Sequence, residues 1–150
     1  RVEFYAFGGS APVAMDGQHK FFRLKISSSY ISDPHLQFMS ANSLGADDVV
    51  VAISQSGTTA ALIESIKIVR KNGAKVIGIM PGDTPLANIC DFPLTINVGS
   101  NNRISKPVTS RIAYTAVIDV LTMGVAQLKP EAQDHLYNIA DSQRSLKVDN

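Results

Sequence analysis

The sequence has 150 residues, 45% of them hydrophobic and 18% charged, which fits one globular domain with a sizeable core. Its 14 Lys and Arg residues against 13 Asp and Glu give a formal net charge of +1, so the balance does not indicate binding to a polyanion. The single cysteine, Cys90, excludes a disulfide framework and lies in an apolar stretch that favours a buried structural thiol, and no signal peptide or membrane-length apolar run is predicted.

Strand and helix signals alternate from the first residues. Residues 2–7 are rich in β-forming residues and lead through a glycine turn into a first helix. A second strand is predicted at residues 28–31. Asp33 and Pro34 then supply the N-cap and the first position of a helix that runs through Leu44.

The strongest strand signal comes third. Residues 48–54 hold a continuous Val/Ile run, which is typical of a central parallel strand buried on both faces. The helix that follows ends at Asn72 and Gly73, which form a C-cap, and residues 74–80 predict a fourth strand.

The last part of the chain predicts a fifth strand and two further helices. A turn with a short helix spans residues 81–88, the strand spans 92–98, and a polar loop leads to Pro107, where a long helix begins. The segment 130–146 is more polar and predicts an exposed or dimer-packing helix. The apolar positions of the long helix that repeat with the helical period are Ile112, Ala116, Val117, Val120 and Leu121.

Five strands alternating with helices predict an α/β fold. We expect a three-layer α/β/α sandwich around a five-stranded, doubly wound parallel sheet. In such sheets, ligands bind beyond the carboxyl ends of the strands, at the point where the strand order reverses. The loops after the strands are therefore the places to look for a site.

Two of these loops are rich in small and hydroxyl-bearing residues. Gly9 and Ser10 follow the first strand, and both loops lead into a helix N-terminus, where unpaired N–H groups and the helix dipole attract an anion. Hydroxyl groups add donors, so a phosphate can be held without a lysine. The alternative is that these hydroxyls only cap the helices. The second loop has more of them than capping needs, and it consists of Ser54, Gln55, Ser56, Gly57, Thr58 and Thr59.

This second loop resembles the SxSGxT phosphate loop of SIS (sugar isomerase) domains, in the SQSGxT form of glucosamine-6-phosphate synthase. The runs FGGS at 7–10, QHKFFR at 18–23, TSRI at 109–112 and VIDVL at 117–121 resemble the effector domain of HexR-type regulators in the RpiR family. The resemblance covers about residues 3–128. It implies a flavodoxin-like SIS domain over the whole chain, in a cytoplasmic homodimer.

The same resemblance implies a partner domain and an effector. Because the chain opens on Arg1 and enters a strand at once, we expect it to follow an upstream domain. In the RpiR family this is a helix-turn-helix that binds DNA, which is absent from this sequence. HexR-type members respond to 2-keto-3-deoxy-6-phosphogluconate, a phosphorylated sugar acid, and we expect the same class of effector here.

The resemblance also implies which residues bind the effector. Ser10, Ser54, Ser56 and Thr59 are expected to hold the phosphate and the nearby sugar hydroxyls, with Gln55 beside them. Gly9, Gly57 and Thr58 complete the predicted ligand-binding loops, and Gly57 is expected to leave the loop backbone open to the phosphate.

One position of the loop departs from the family pattern. Thr58 stands where glucosamine-6-phosphate synthase has Glu and many HexR-type loops have Arg, so it supplies neither a base nor a cation. A carboxylated effector would need a cation from elsewhere. Arg103, Lys106 and Arg111 are the candidates, and we favour Arg111; the alternative is that all three are solvated surface charges.

Candidate bases for sugar isomerisation are few. The reaction needs a carboxylate or histidine near the carbon-bound proton, and Glu3, Glu64 and Glu131 are all expected away from the strand carboxyl ends. His19 falls within a helix, whereas His35 begins one at the correct end of the sheet. No HExxH, Cys/His cluster or GxGxxG occurs, so we predict no catalytic residue, metal or cofactor. The prediction is a sensor, and the alternative is a sugar-phosphate isomerase of the SIS class.

Overall fold

The computed structural model describes residues 1–99 and 106–144, and in this part of the chain strands and helices alternate. Short 3-10 turns lie at Gly8–Ser10 and Ala87–Ile89. Most predicted element bounds agree with the structure to within one residue. The elements are β1 (Val2–Ala6), α1 (Ala11–Arg23), β2 (Ser28–Ile31), α2 (Pro34–Ser43), β3 (Val49–Ile53), α3 (Ala60–Lys71), β4 (Lys75–Met80), β5 (Phe92–Thr95), α4 (Lys106–Leu128) and α5 (Pro130–Arg144).

All neighbouring strands are parallel, and their order is β2-β1-β3-β4-β5. This is the flavodoxin-like order, in which β2 lies on one side of β1 and the later strands, β3 to β5, are added on the other side. This reversal places β1 and β3 side by side, with Ala6 opposite Ile53 at their carboxyl ends. The structure therefore confirms the predicted fold class and puts the switch point between the two loops singled out in the sequence.

Helices cover both faces of the sheet. Successive strand residues point to opposite faces, so β1 sends Tyr5 into one core with Leu62 of α3, and Phe4 into a second core with Ile118 of α4. Helices α2 and α3 lie on the first face, and α1 and α4 lie on the second. Burial on both faces explains the unbroken apolar run of β3.

The fifth strand is shorter than the sequence predicts. A strand over residues 92–98 was expected, but β5 ends at Thr95. Its neighbour β4 ends at Met80, whose carbonyl accepts the last ladder bond from the Ile96 N–H at 2.9 Å. The predicted strand was too long because apolar residues, Ile96 and Val98, continue after β4 has ended.

Helix α4 is apolar around its circumference. Tyr114 and Ile118 are buried against the sheet, whereas Ile112 and Val120 point outward and are 68% and 71% exposed. By length and composition alone, Val108–Leu128 is long and apolar enough to cross a membrane. Its inward face, however, belongs to the core between α1 and the sheet.

Cys90 follows the short 3-10 turn before β5 and is half-buried. Burial raises the pKa of its thiol to about 11. At neutral pH the group is therefore protonated, and the thiolate needed for nucleophilic or redox chemistry is scarce.

Candidate functional site

A cleft of about 150 Å³ opens at the carboxyl ends of β1 and β3, at the switch point of the sheet. The loops after the two strands and the first turns of α4 form its walls, and Val13, Ile53 and Leu62 are apolar parts of its lining. The polar part of the lining consists of Gly9, Ser10, Ser54, Gln55, Ser56, Thr59, Ser110, Arg111 and Tyr114.

The loop between β3 and α3 is held by its own serines. Ser54, which is 4% exposed, accepts a hydrogen bond at its Oγ from the Gly57 N–H at 3.0 Å. The Oγ of Ser56 accepts another from the Thr58 N–H at 3.2 Å. Each hydroxyl uses a lone pair for these bonds and keeps its own proton, so both remain able to donate to an anion in the cleft.

The hydroxyl groups at the two helix starts are not used for capping. Ser10 and Thr59 occupy the N-cap positions of α1 and α3, but neither side chain forms a capping hydrogen bond. By contrast, Asp33 caps α2 by accepting the Leu36 N–H at 2.9 Å. The interpretation of Ser10 and Thr59 as simple caps is therefore not supported.

Gly57 contributes to the loop in a way the sequence did not predict. It is buried and has a φ of +65°, and a Cβ at this position would lie 2.3 Å from Oγ1 of Thr84. Its carbonyl accepts the Leu86 N–H at 3.1 Å. Gly57 and the exposed Thr58 are not among the residues that line the cleft. Glycine is needed here for the turn and for the close approach of Thr84.

Arg111 lines the same cleft as this loop and lies beside the turn after β1. Its Nη2 atom is 3.9 Å from the position that a Cβ on Gly9 would take. Arg111 forms no ion pair with any residue in the described ranges, so its charge is available to a ligand. Of the other two predicted cations, Arg103 falls outside the described residues, and so does the side chain of Lys106, the first residue of α4.

Two polar residues of α4 that the sequence analysis did not select also line the cleft. Ser110 and Tyr114 are buried and lie four residues apart, on one face of the helix. Burial raises the pKa of the Tyr114 hydroxyl to about 12, so it is neutral at physiological pH. Nothing in the sequence identified either residue, because spacing along α4 does not show which of its residues face the cleft.

The described lining of the cleft contains no carboxylate and no imidazole. Glu3 lies at the other end of β1, where it accepts hydrogen bonds from Tyr5 at 2.9 Å and from Ser40. Glu64 pairs with Lys67 at 2.7 Å on the surface of α3. His35 is exposed in the first turn of α2 and does not reach the cleft lining.

The remaining candidates for chemistry also lie elsewhere. His19 and Glu131 are exposed on α1 and α5. Within residues 1–99 and 106–144, no group of three or more His, Cys, Asp or Glu side chains could hold a metal ion. The described lining of the cleft therefore combines hydroxyl groups with one cation, Arg111, which is the composition that an anion would need.

The chain is similar to known proteins in both sequence and structure. A family model for the SIS domain matches residues 1–124. The HTH-type transcriptional regulator HexR of Pseudomonas aeruginosa is 38% identical over 143 residues, which are 95% of this chain and 50% of the regulator. The Bifunctional protein glk of Burkholderia thailandensis is 38% identical over 126 residues, 84% of this chain and 20% of that protein.

Among solved structures, the Vibrio vulnificus NanR protein complexed with ManNAc-6P matches with a TM-score of 0.88 and 21% sequence identity. The match covers 99% of this chain and 56% of that one. At this identity, the likeness is one of fold. The chain spans about half the length of the HexR regulator it matches.

Proposed function

The chain belongs to the SIS domain family, and we propose that it is the effector-binding domain of an RpiR-type transcriptional regulator, which binds a phosphorylated sugar acid without transforming it. The observation that carries the proposal is the switch-point cleft, whose lining contains both a hydroxyl-rich loop at the N-terminus of α3 and Arg111, which lies beside Gly9. The DNA contacts would belong to a helix-turn-helix domain outside this sequence, in a cytoplasmic regulator.

The phosphate of the ligand is assigned to the loop after β3. A phosphate monoester carries about two negative charges and three acceptor oxygens at neutral pH. Ser54, Ser56 and Thr59 can each donate a hydroxyl proton, and the α3 N-terminus adds unpaired N–H groups and the positive end of its dipole. This arrangement can stabilise the anion by hydrogen bonds without a lysine.

The opposite end of the ligand is assigned to Arg111. The guanidinium group lies beside Gly9 and has no competing ion pair in the described part of the chain, so it can bind a carboxylate. A ligand with a phosphate at one end and a carboxylate at the other would bridge the cleft. We propose 2-keto-3-deoxy-6-phosphogluconate, whose two anionic groups are at opposite ends of the molecule.

Sensing is favoured over isomerisation because of the composition of the cleft. Proton transfer at a sugar carbon needs a base within hydrogen-bond reach, and the described lining offers serines, a threonine and a neutral tyrosine instead. The similarity to a HexR regulator supports the same choice. A sugar-phosphate isomerase of the SIS class remains the second candidate, and the following experiment separates the two.

Isothermal titration of the wild-type domain with 2-keto-3-deoxy-6-phosphogluconate is expected to show micromolar binding, with no product detected by NMR. Arg111→Gln is expected to weaken binding of this acid and of 6-phosphogluconate by about 5- to 30-fold, because a charged hydrogen bond at a partly exposed site is lost. Binding of fructose 6-phosphate, which has no carboxylate, should change by less than about 2-fold in the same variant.

Arg23→Gln is the matched control for this variant. It removes the same charge from an exposed position at the far end of α1, and we expect it to bind every ligand as the wild type does. Equal losses for carboxylated and uncarboxylated ligands in Arg111→Gln would contradict the assignment of Arg111 to the carboxylate. Conversion of any phosphosugar would contradict the sensor and favour the isomerase.

We further propose that the outward face of α4 pairs with a second copy of this chain. Ile112, Val120 and Met123 are each at least 60% exposed on this face, although a solvated helix usually presents polar residues to water. Helix α5, the dimer-packing candidate from the sequence, packs within its own chain through Ala132, which contacts Leu24 and Ala126.

Val120→Asp is therefore expected to convert a dimeric domain into a monomer, because pairing would bury an unpaired carboxylate. Sedimentation velocity measures the change in mass. Met39→Asp is the matched control, since Met39 is also 68% exposed but lies on α2, on the other side of the sheet. Dissociation by Met39→Asp and not by Val120→Asp would move the interface to α2 and contradict the proposal.

A further inference from the structure

The proposed function does not use two polar residues on the cleft wall formed by α4. One of them, Ser110, already has an interaction within the protein, and the other is Tyr114. Tyr114 is 1% exposed and packs with Val13 and Ile53, which also line the cleft. Its hydroxyl oxygen is buried and has no hydrogen-bond partner among the described residues. Most buried polar groups in folded proteins do have a partner, so an exception in the lining of a cleft needs an explanation.

The packing of the ring does not need the hydroxyl. The contacts of Tyr114 within the core between α1, α4 and the sheet are apolar, and phenylalanine would make the same ones. In the ligand-free protein, the buried hydroxyl therefore lowers stability and gains nothing in return. A residue with this property is expected where a ligand supplies the missing partner.

The surroundings of Tyr114 indicate which part of a ligand this would be. The charged and hydroxyl groups that could hold an anion lie on the two loops and on Arg111, whereas Tyr114 packs with Val13 and Ile53. The other hydroxyl on this wall, that of Ser110, belongs to a residue that already has an interaction within the protein. An apolar surface with a single neutral donor is a poor site for a phosphate but a suitable one for an uncharged sugar oxygen.

We propose that the Tyr114 hydroxyl binds an uncharged oxygen, a hydroxyl or carbonyl group, of the sugar portion of the ligand and so distinguishes a phosphosugar from phosphate alone. This inference rests on the proposed function, because it assumes that the phosphate occupies the loop after β3. Under this proposal, a residue of α4, Tyr114, selects for the sugar portion of the ligand.

The test is Tyr114→Phe, titrated with 2-keto-3-deoxy-6-phosphogluconate and with inorganic phosphate. Affinity for the phosphosugar is expected to fall about 3- to 10-fold, the value of one neutral hydrogen bond. Chemical-shift titration, which detects weak binding, should give the same phosphate affinity for the variant and the wild type. The melting temperature of the ligand-free variant should be unchanged or higher, since a buried hydroxyl without a partner has been removed.

Tyr5→Phe is the matched control. Tyr5 is also fully buried, but its hydroxyl donates to Oε2 of Glu3 at 2.9 Å, and its ring lies on the other face of the sheet, among the residues between α2, α3 and the strands. This variant should melt at a lower temperature and bind the phosphosugar normally. Tyr114→Phe is thus expected to lower affinity without lowering stability, and Tyr5→Phe to lower stability without lowering affinity.

The outcomes separate this inference from the proposed function. Wild-type binding of the phosphosugar, with an unchanged affinity in Tyr114→Phe, would overturn the role of Tyr114 and leave the proposed function intact. Equal losses for the phosphosugar and for phosphate would overturn the assignment to the sugar portion. If the wild type binds no phosphosugar, both proposals fail together.

Discussion

Ser54→Ala is expected to weaken binding of 2-keto-3-deoxy-6-phosphogluconate by about 10- to 100-fold, the value of a hydrogen bond to a charged group. The Ser54 Oγ is held in place because it accepts the Gly57 N–H at 3.0 Å, and its own proton remains free to donate to a phosphate in the cleft. Alanine removes the donor to the phosphate. It also leaves the Gly57 N–H without its acceptor, which loosens the loop that positions the other donors. Isothermal titration measures the loss.

Ser65→Ala controls for the loss of a buried hydroxyl as such. Ser65 is 1% exposed in α3 but does not line the cleft, so its variant should bind the ligand with wild-type affinity. The melting temperature of each variant shows whether a weaker titration reflects unfolding. Wild-type affinity in a folded Ser54→Ala domain would contradict the phosphate assignment and return the loop to a purely structural role.

The position of α4 suggests how a bound ligand could change the rest of a regulator. Arg111 lines the cleft while its neighbour Ile112 lies on the exposed apolar face proposed for pairing, so one rigid helix borders both surfaces. A ligand that contacts Arg111 and Tyr114 can favour one position of α4 over another only if its affinity for the two differs. Such a difference would couple ligand binding to the pairing of two chains.

The fold could be predicted from the sequence because local signals and long-range packing agree. The Val/Ile run of β3 predicts a buried strand, and Asp33 predicts a helix start that its side chain does cap. The two hydroxyl-rich loops could also be placed together from the sequence, because parallel strands bring their carboxyl ends to one edge of the sheet. Seven of the predicted ligand residues line the cleft: Gly9, Ser10, Ser54, Gln55, Ser56, Thr59 and Arg111.

What the sequence could not predict depends on contacts between distant segments. The apolar positions that repeat with the helical period in α4 do not form one buried face, because Ile112 and Val120 point outward whereas Ile118 points inward. Tyr114 becomes a candidate only when its hydroxyl is seen to be buried at the cleft without a partner in the described chain. These are properties of tertiary packing, which residue type alone does not determine.

Gly57→Ala is expected to lower the free energy of unfolding by about 2 to 5 kcal/mol, from two separate causes. The first is the φ of +65°, which costs a residue with a Cβ about 1 to 2 kcal/mol. The second is overlap, because the new methyl group would lie 2.3 Å from Oγ1 of Thr84. Thr84 cannot simply rotate away, since its Oγ1 is held by the Pro81 carbonyl at 3.1 Å and the Ala87 N–H at 3.3 Å. Chemical denaturation measures the change.

Two other glycines separate these causes. Gly8 has a φ of +50°, and no atom lies within 4 Å of the position that a Cβ would take, so Gly8→Ala should show the backbone cost alone. Gly45 has neither a positive φ nor a neighbour within 4 Å, so Gly45→Ala should be nearly neutral. If Thr84 overlaps with the new methyl group, Thr84→Gly, which also removes the Cβ at 2.5 Å, should destabilise the Gly57→Ala protein less than the wild type. If the losses of unfolding free energy caused by the changes at Gly57 and Thr84 simply add, Thr84 does not constrain the loop. The same conclusion follows if Gly57→Ala and Gly8→Ala lose equal amounts.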